Sequence, residues 1–210
     1  MDRPSLRRLL KRAMRRRLLV QFHRPFEWNS VLGHVCATGP ALFLVAVIGP
    51  DLRFNGFQVF RIRDVRRPRV PHKHAGFVET SLRLRGVKRP RTPRVRLDGL
   101  PGLLRSASRL FPLVTIHREA VDPDVCEIGR VLDVEERRVR IQEIDPDANW
   151  HREPSEYRIS QITRVDFGGG YEEALALVAR EGPTDRKGAP SGARCRRIGP
   201  AGGPARRIVS

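Results

Sequence analysis

The chain carries a diverged internal repeat, and a repeat constrains architecture more tightly than any motif inside it. The segment LLVQFHRPF, beginning at Leu18, resembles PLVTIHREA, beginning at Pro112. Leu19-Val20 matches Leu113-Val114 and His23-Arg24 matches His117-Arg118, a spacing of 94 residues. Gly33-His34-Val35 then matches Gly129-Arg130-Val131, and Val47-Ile48-Gly49-Pro50-Asp51 matches Glu143-Ile144-Asp145-Pro146-Asp147, both at 96. Phe60-Arg61-Ile62 followed by Val65 matches Tyr157-Arg158-Ile159 followed by Ile162, at 97. Small changes in loop length between two copies of one module produce such a drift.

The periodicity within each copy is that of strands bounded by turn residues. In the second copy the predicted strands are 113–117, 127–132, 137–144, 157–159 and 162–167, with a polar hairpin at Asp133-Val134-Glu135-Glu136. Val139 and Ile141 fall on one face, and Arg138, Arg140 and Gln142 on the other. The first copy gives 18–22, 32–37, 42–48, 58–62 and 65–70. Residues 41–48 are nearly continuous in apolar side chains, so burial on both faces and a packed interface between the copies are expected there. Residues 1–17 read as a basic amphipathic helix, with Leu6, Leu9, Leu10, Ala13 and Met14 at helical spacing; initiation at Met14 would remove it. The Leu-rich stretch 100–111 occupies the matching place before the second copy, weakened as a helix by Pro101-Gly102. After Gly168-Gly169-Gly170, a flexible joint, residues 171–180 read as a helix with Glu172 and Glu173 near its positive end, stopped by Gly182-Pro183.

Five short, bent strands in each copy, with a long bend between the third and fourth, resemble a small Sm-like or SH3-like barrel. The ending YRISQITRV, residues 157–165, is similar to the last two strands of such barrels, as in the C-terminal barrel of the bacterial ribosome-maturation factor and in Sm-like RNA chaperones. The resemblance implies a mainly β fold of two tandem five-stranded Sm-like/SH3-like barrels with short flanking helices. It also implies binding of RNA or protein. The expected organisation is a basic helix at 1–17, a first barrel at 18–86 and a basic linker with a short helix at 87–111. A second barrel with a C-terminal helix follows at 112–181, and a disordered basic tail rich in Gly, Pro and Arg at 182–210.

Charge divides the chain. Eight basic residues against one acidic give +7 over residues 1–17, and seventeen against five give +12 over 18–112. Nine against fifteen give −6 over 113–180, and seven against two give +5 over the tail. Only four of the 41 basic residues are Lys, a bias that GC-rich coding also produces. Guanidinium groups in the first half point to phosphates of RNA or DNA. The predicted contacts are Arg15, Arg16, Arg17, Arg61, Arg63, Arg66, Arg67, Arg69, Lys88 and Arg89.

The densest group of reactive side chains, HREAVDPDVCEIG at 117–129, looks like a catalytic or metal cluster. Its counterpart HRPFEWNSVLG keeps the His-Arg pair and the closing Gly but has no Asp or Cys, so the shared part reads as fold. Pro50-Asp51 and Pro146-Asp147 read as turns. His72-Lys73-His74 lacks a third ligand, and Gly168–Gly170 lacks phosphate-loop spacing. No metal, cofactor or enzymatic activity is expected. Cys36, Cys126 and Cys195 are far apart without a CxxC pair, which fits a reducing, cytoplasmic setting. No apolar run approaches the ~20 residues of a membrane span, so integral membrane contact is not expected. Two readings follow: a non-enzymatic binder of RNA or DNA, or a protein-interaction or regulatory module in which basic and acidic halves attract within the chain or between chains, as a homo-oligomer or with an acidic protein partner. The N-terminal helix also has the composition of a membrane-surface anchor.

Overall fold

The computed structural model describes residues 2–179 and Cys195–Arg196; the rest of the predicted tail lies outside the described residues. Helix α1 (Arg3–Arg15) begins where the Asp2 carboxylate accepts a hydrogen bond from the Ser5 amide at 3.2 Å and Pro4 occupies the first turn. The first half continues with β1 (Leu19–His23), β2 (Val31–Thr38), β3 (Leu42–Ile48), β4 (Phe54–Arg61), a 3-10 turn at Ile62–Asp64, β5 (Arg66–Arg69) and α2 (Ala75–Leu84). An extended basic segment leads to the second half: α3 (Leu100–Ala107), β6 (Val114–His117), β7 (Val125–Val134), β8 (Arg138–Glu143), β9 (Ser155–Arg158), a 3-10 turn at Ile159–Gln161, β10 (Arg164–Phe167) and α4 (Gly170–Val178). Cys195–Arg196 forms a two-residue strand, β11, against the start of β7.

The fold is mainly β and every strand pair is antiparallel. Where two separate barrels are expected, a single open sheet runs in the order β5-β1-β2-β3-β4-β10-β6-β7-β8-β9. The order within each half is the same: last strand, then first to fourth. The sheet is continuous because β4 pairs with β10, with Val59 opposite Val165 and Phe57 opposite Phe167, whose rings stack at 6.1 Å between centroids.

Local features recur at the spacings read from the sequence. Gly33 and Gly129 each sit where a strand folds closely over its neighbour; a Cβ would lie 2.7 Å from Val45 Cγ1 in one case and 2.6 Å from Ile141 Cγ2 in the other, and nearer still to a backbone carbonyl. Both β2 and β7 bulge two residues further on, between Val35 and Ala37 and between Val131 and Asp133. The turn residues Leu52 and Ala148 are both left-handed, at φ 55° and 62°. Asp51 accepts the Arg53 amide as the Pro-Asp reading expects, whereas in the second half Asp145, not Asp147, accepts the turn amides.

Two cores lie under the leading helices. Leu6, Leu10 and Ala13 of α1 pack on Val20, Phe22, Phe43, Val45 and Phe60. Each fully buried Leu or Phe contributes about 1.5–3 kcal/mol. This packing takes up Leu6, Leu10 and Ala13 of the apolar stripe of α1, with Leu9 and Met14 partly buried beside them. Leu103, Leu104 and Ala107 of α3 pack on Val114, Ile116, Ile141, Ile162 and Val165, and here Leu42, Leu44 and Ala46 of β3 join from the other half. Strand β3 is therefore buried on both faces, as its unbroken apolar run predicts. On the outer faces α2 sets Val78 and Leu82 on Leu19 and Ile48, while α4 sets Leu175 and Ala179 on Leu113, Ile128 and Ile144. Helix α2 is not among the predicted elements.

Candidate nucleic-acid interface

The cluster at 117–129 is divided between a buried joint and an exposed loop. His117 ends β6, Glu119 lies just beyond it, Asp122 and Asp124 stand in the loop, and Cys126 and Glu127 are in β7. Glu119 forms a bidentate pair with Arg24 from the opposite half; both side chains are fully buried. The Arg24 guanidinium also lies over the Phe60 ring, 5.1 Å from its centroid. Arg164 of β10 bonds Glu27 and lies 3.0 Å from Asp166, and His117 Nε2 is 2.8 Å from Arg164 and 3.1 Å from Asp166. Thr163 Oγ1 donates to Glu119, and Gln58 donates to Asp166 from β4. Three carboxylates and two guanidiniums so tie the halves together beside the β4–β10 pairing.

The electrostatics match that geometry. Burial alone pushes the Glu119 carboxyl up, but hydrogen bonds and charge from Arg24, helped by Arg164 and Thr163, outweigh it and bring it down to about 2. Arg164 is likewise desolvated, and Asp166, Glu27 and Glu119 hold it charged. The corresponding Arg118 lies over Tyr157 at 4.7 Å and pairs with Glu127 within its own half at 2.5 Å. Among the described residues, no three His, Cys, Asp or Glu side chains are arranged to hold a metal ion.

The predicted phosphate contacts separate into two groups. Arg61 is half-buried, bound to Asp64 at 2.5 Å and to the Ile162 carbonyl, and Arg89 donates to the Val35 carbonyl. These two serve the fold, because each guanidinium is half-buried and bonds a carbonyl distant in sequence. Arg15, Arg16, Arg17, Arg63, Arg66, Arg67, Arg69 and Lys88 are exposed. Arg63 lies 3.9 Å from Asp64; the Arg66 guanidinium donates to the carbonyls of Arg63 and Val65, and Arg66, Arg67 and Arg69 take part in no ion pair among the described residues.

Register places these cations in a stripe. β5 runs antiparallel to β1, with Arg66 opposite His23 and Arg69 opposite Gln21, and the His72 amide bonds the Leu19 carbonyl at the other end of β1. Arg15–Arg17 feed directly into that end of β1, and Arg89 anchors the linker beside His34, which pairs with Leu19. The stripe thus follows the β5 edge, unpaired on its outer side among the described residues, to the α1–β1 corner, with Lys73 next to His72 and Lys88 next to Arg89. His34 is buried in this corner; desolvation, reinforced by Arg89, lowers it to about 4 and keeps it neutral.

Trp28, in the β1–β2 loop at the Arg66 end of the stripe, is 100% exposed. The sequence does not single out Trp28 or Arg164, and it places Arg24 in the repeated frame and Glu119 in the dense cluster without showing their partners. Comparing the two loops at the 94-residue spacing exposes the difference: Asp122 stands where the first half has Trp28.

No helix among the described residues is long and apolar enough to cross a membrane. No protein-family model and no curated protein matches the sequence. Among solved structures, that of K. pneumonia MrkH aligns at 8% identity over 86% of this chain and 91% of that chain, with a TM-score of 0.17, a likeness too slight to carry fold or function.

Proposed function

We propose that the chain is a non-enzymatic, cytoplasmic nucleic-acid-binding protein made of two Sm-like modules joined edge to edge, and that the first module contacts phosphates. The observation that carries this reading is the basic stripe. Residues 61–73 hold six basic side chains against one acid, Asp64, and that acid already pairs with Arg61. A sheet edge lined with guanidiniums that have no carboxylate partner is an electrostatic footprint for phosphate. The recurring strand order and the matching glycines, bulges and turns support the tandem reading. At the joint Glu27, one of the five acids in residues 18–112, is engaged by Arg24 and by Arg164 of the second half.

A gel-shift series across salt tests the proposal. Binding of mixed-sequence RNA or DNA is expected to weaken steeply between about 50 and 200 mM salt as phosphate counterions compete. No binding at low salt, or binding indifferent to salt, overturns it.

A second reading, in which basic and acidic halves attract, draws on the same joint. The Arg24–Glu119 pair, a base of the first half with an acid of the second, supports such attraction.

A further inference from the structure

We infer that the ligand of the basic stripe is single-stranded nucleic acid, with one base stacked on Trp28; this rests on the phosphate-binding reading above. Trp28 is the most exposed large hydrophobic side chain among the described residues. The chain's other tryptophan, Trp150, is half-buried beneath Arg130, whose guanidinium is 5.0 Å from its ring. An indole left wholly in water offers both ring faces to a flat partner.

The loop that presents Trp28 is held from below. Arg24, four residues earlier, is buried in its pair with Glu119, and Glu27, the residue before Trp28, is bound by both Arg24 and Arg164. The Glu27 amide closes a turn on the Arg24 carbonyl, and the Arg24 guanidinium covers Phe26 at 5.4 Å. On the far side of the loop, Ser30 accepts a hydrogen bond from Gln21 of β1 at 2.8 Å. The aromatic therefore stands on a loop whose flanking residues are tied down, which lowers the backbone ordering cost of stacking.

Its position relative to the cations follows from register. His23 is opposite Arg66, and only five residues separate His23 from Trp28, at most ~17 Å of chain. Along β5 the arginines continue away from this point at Arg67 and Arg69. A basic track with an aromatic at one end is how proteins bind single strands without reading sequence, because every base has a π-face but a duplex hides it. The second half lacks both parts: Asp122 replaces Trp28, and the counterparts of Arg66, Arg67 and Arg69 are Thr163, Arg164 and Asp166, which are committed to the joint.

The test uses the full chain with Trp150→Phe, so that fluorescence reports Trp28 alone. A short oligouridine is expected to quench this emission, and its duplex with oligoadenosine to bind more weakly with little quenching. Trp28→Ala is expected to weaken oligouridine binding about tenfold while leaving the salt slope unchanged. Because the side chain is fully exposed, the fold is expected to survive, and circular dichroism checks that. Salt-dependent binding with no quenching and an unaffected Trp28→Ala affinity overturns the stacking inference and leaves the basic stripe standing. Failure of all nucleic acids to bind at low salt overturns both. Quenching by an acidic polypeptide but not by oligouridine would move the surface to a protein partner and also overturns the inference.

Discussion

Replacing Glu119 with Gln removes one charge from the joint at nearly constant shape. Both the Glu119 and the Arg24 side chains are fully buried, so the variant leaves a guanidinium in the interior with reduced compensation. Lowering the carboxyl from an ordinary 4.5 to about 2 corresponds to about 3 kcal/mol of folding stability. That agrees with the ~3–5 kcal/mol commonly lost when one partner of a buried pair is deleted. The sign is fixed by linkage: a depressed carboxyl stabilises fully above its unfolded value of 4.5 and loses that stabilisation as pH falls toward 2. Urea unfolding followed by circular dichroism is expected to show Glu119→Gln less stable than the parent by about 3 kcal/mol at neutral pH, with the gap roughly halved near pH 3. Arg24→Met with Glu119→Leu removes both charges and is expected to recover most of the loss. A neutral-pH deficit below ~1 kcal/mol, or a gap independent of pH, would refute the claim that this pair locks the halves.

Further outcomes follow from the same coordinates. Gly33→Ala and Gly129→Ala each force a methyl against a neighbouring strand and are expected to cost at least about 1–3 kcal/mol apiece in the same unfolding assay, against little effect for Gly76→Ala, whose surroundings are open. His34 is expected to remain neutral until about pH 4, seen by NMR titration of its ring protons, and its burial adds a separate loss of stability as pH falls from 6.5 toward 4; a midpoint near 6.5 would contradict its environment. The repeat argues against edge-to-edge growth. The joint needs Glu119, Arg164 and Asp166, whose counterparts at the free β5 edge are Pro25, Arg67 and Arg69, and Arg67 is itself left-handed at φ 45°. A second chain on that edge would set Arg118 against Arg67, so sedimentation velocity is expected to show a monomer, and a ladder of larger species would contradict this.

The repeated motifs made the strands legible because alternation and turn chemistry are local. Leu42–Ile48 even announced burial on both faces, since no exposed strand carries seven apolar residues in a row. Helix α2 was hidden because only Val78 and Leu82 face the sheet, one turn apart, among Gly, Glu, Thr and Arg. Aligning them with Leu175 and Ala179 at the 97-residue spacing would have revealed it. The single sheet was not legible, since β4–β10 pairing joins residues about a hundred positions apart and leaves no local trace. For the same reason HREAVDPDVCEIG resembled a catalytic cluster: the partners of His117 and Glu119 are Arg24, Arg164 and Asp166, brought in by topology. Among the predicted cations, exposure could not be read from composition. Arg61 is spent on Asp64, whereas Arg63, two residues after Arg61, is exposed.

The central claim is that the β5 edge supplies the phosphate contacts, and the salt dependence of oligonucleotide binding measures this most directly. With Arg63, Arg66, Arg67 and Arg69 all replaced by Ser, the slope of log affinity against log salt is expected to flatten by about 3, since each phosphate neutralised on a single strand contributes about 0.7. An unchanged slope with affinity intact would place the phosphates elsewhere and contradict the account.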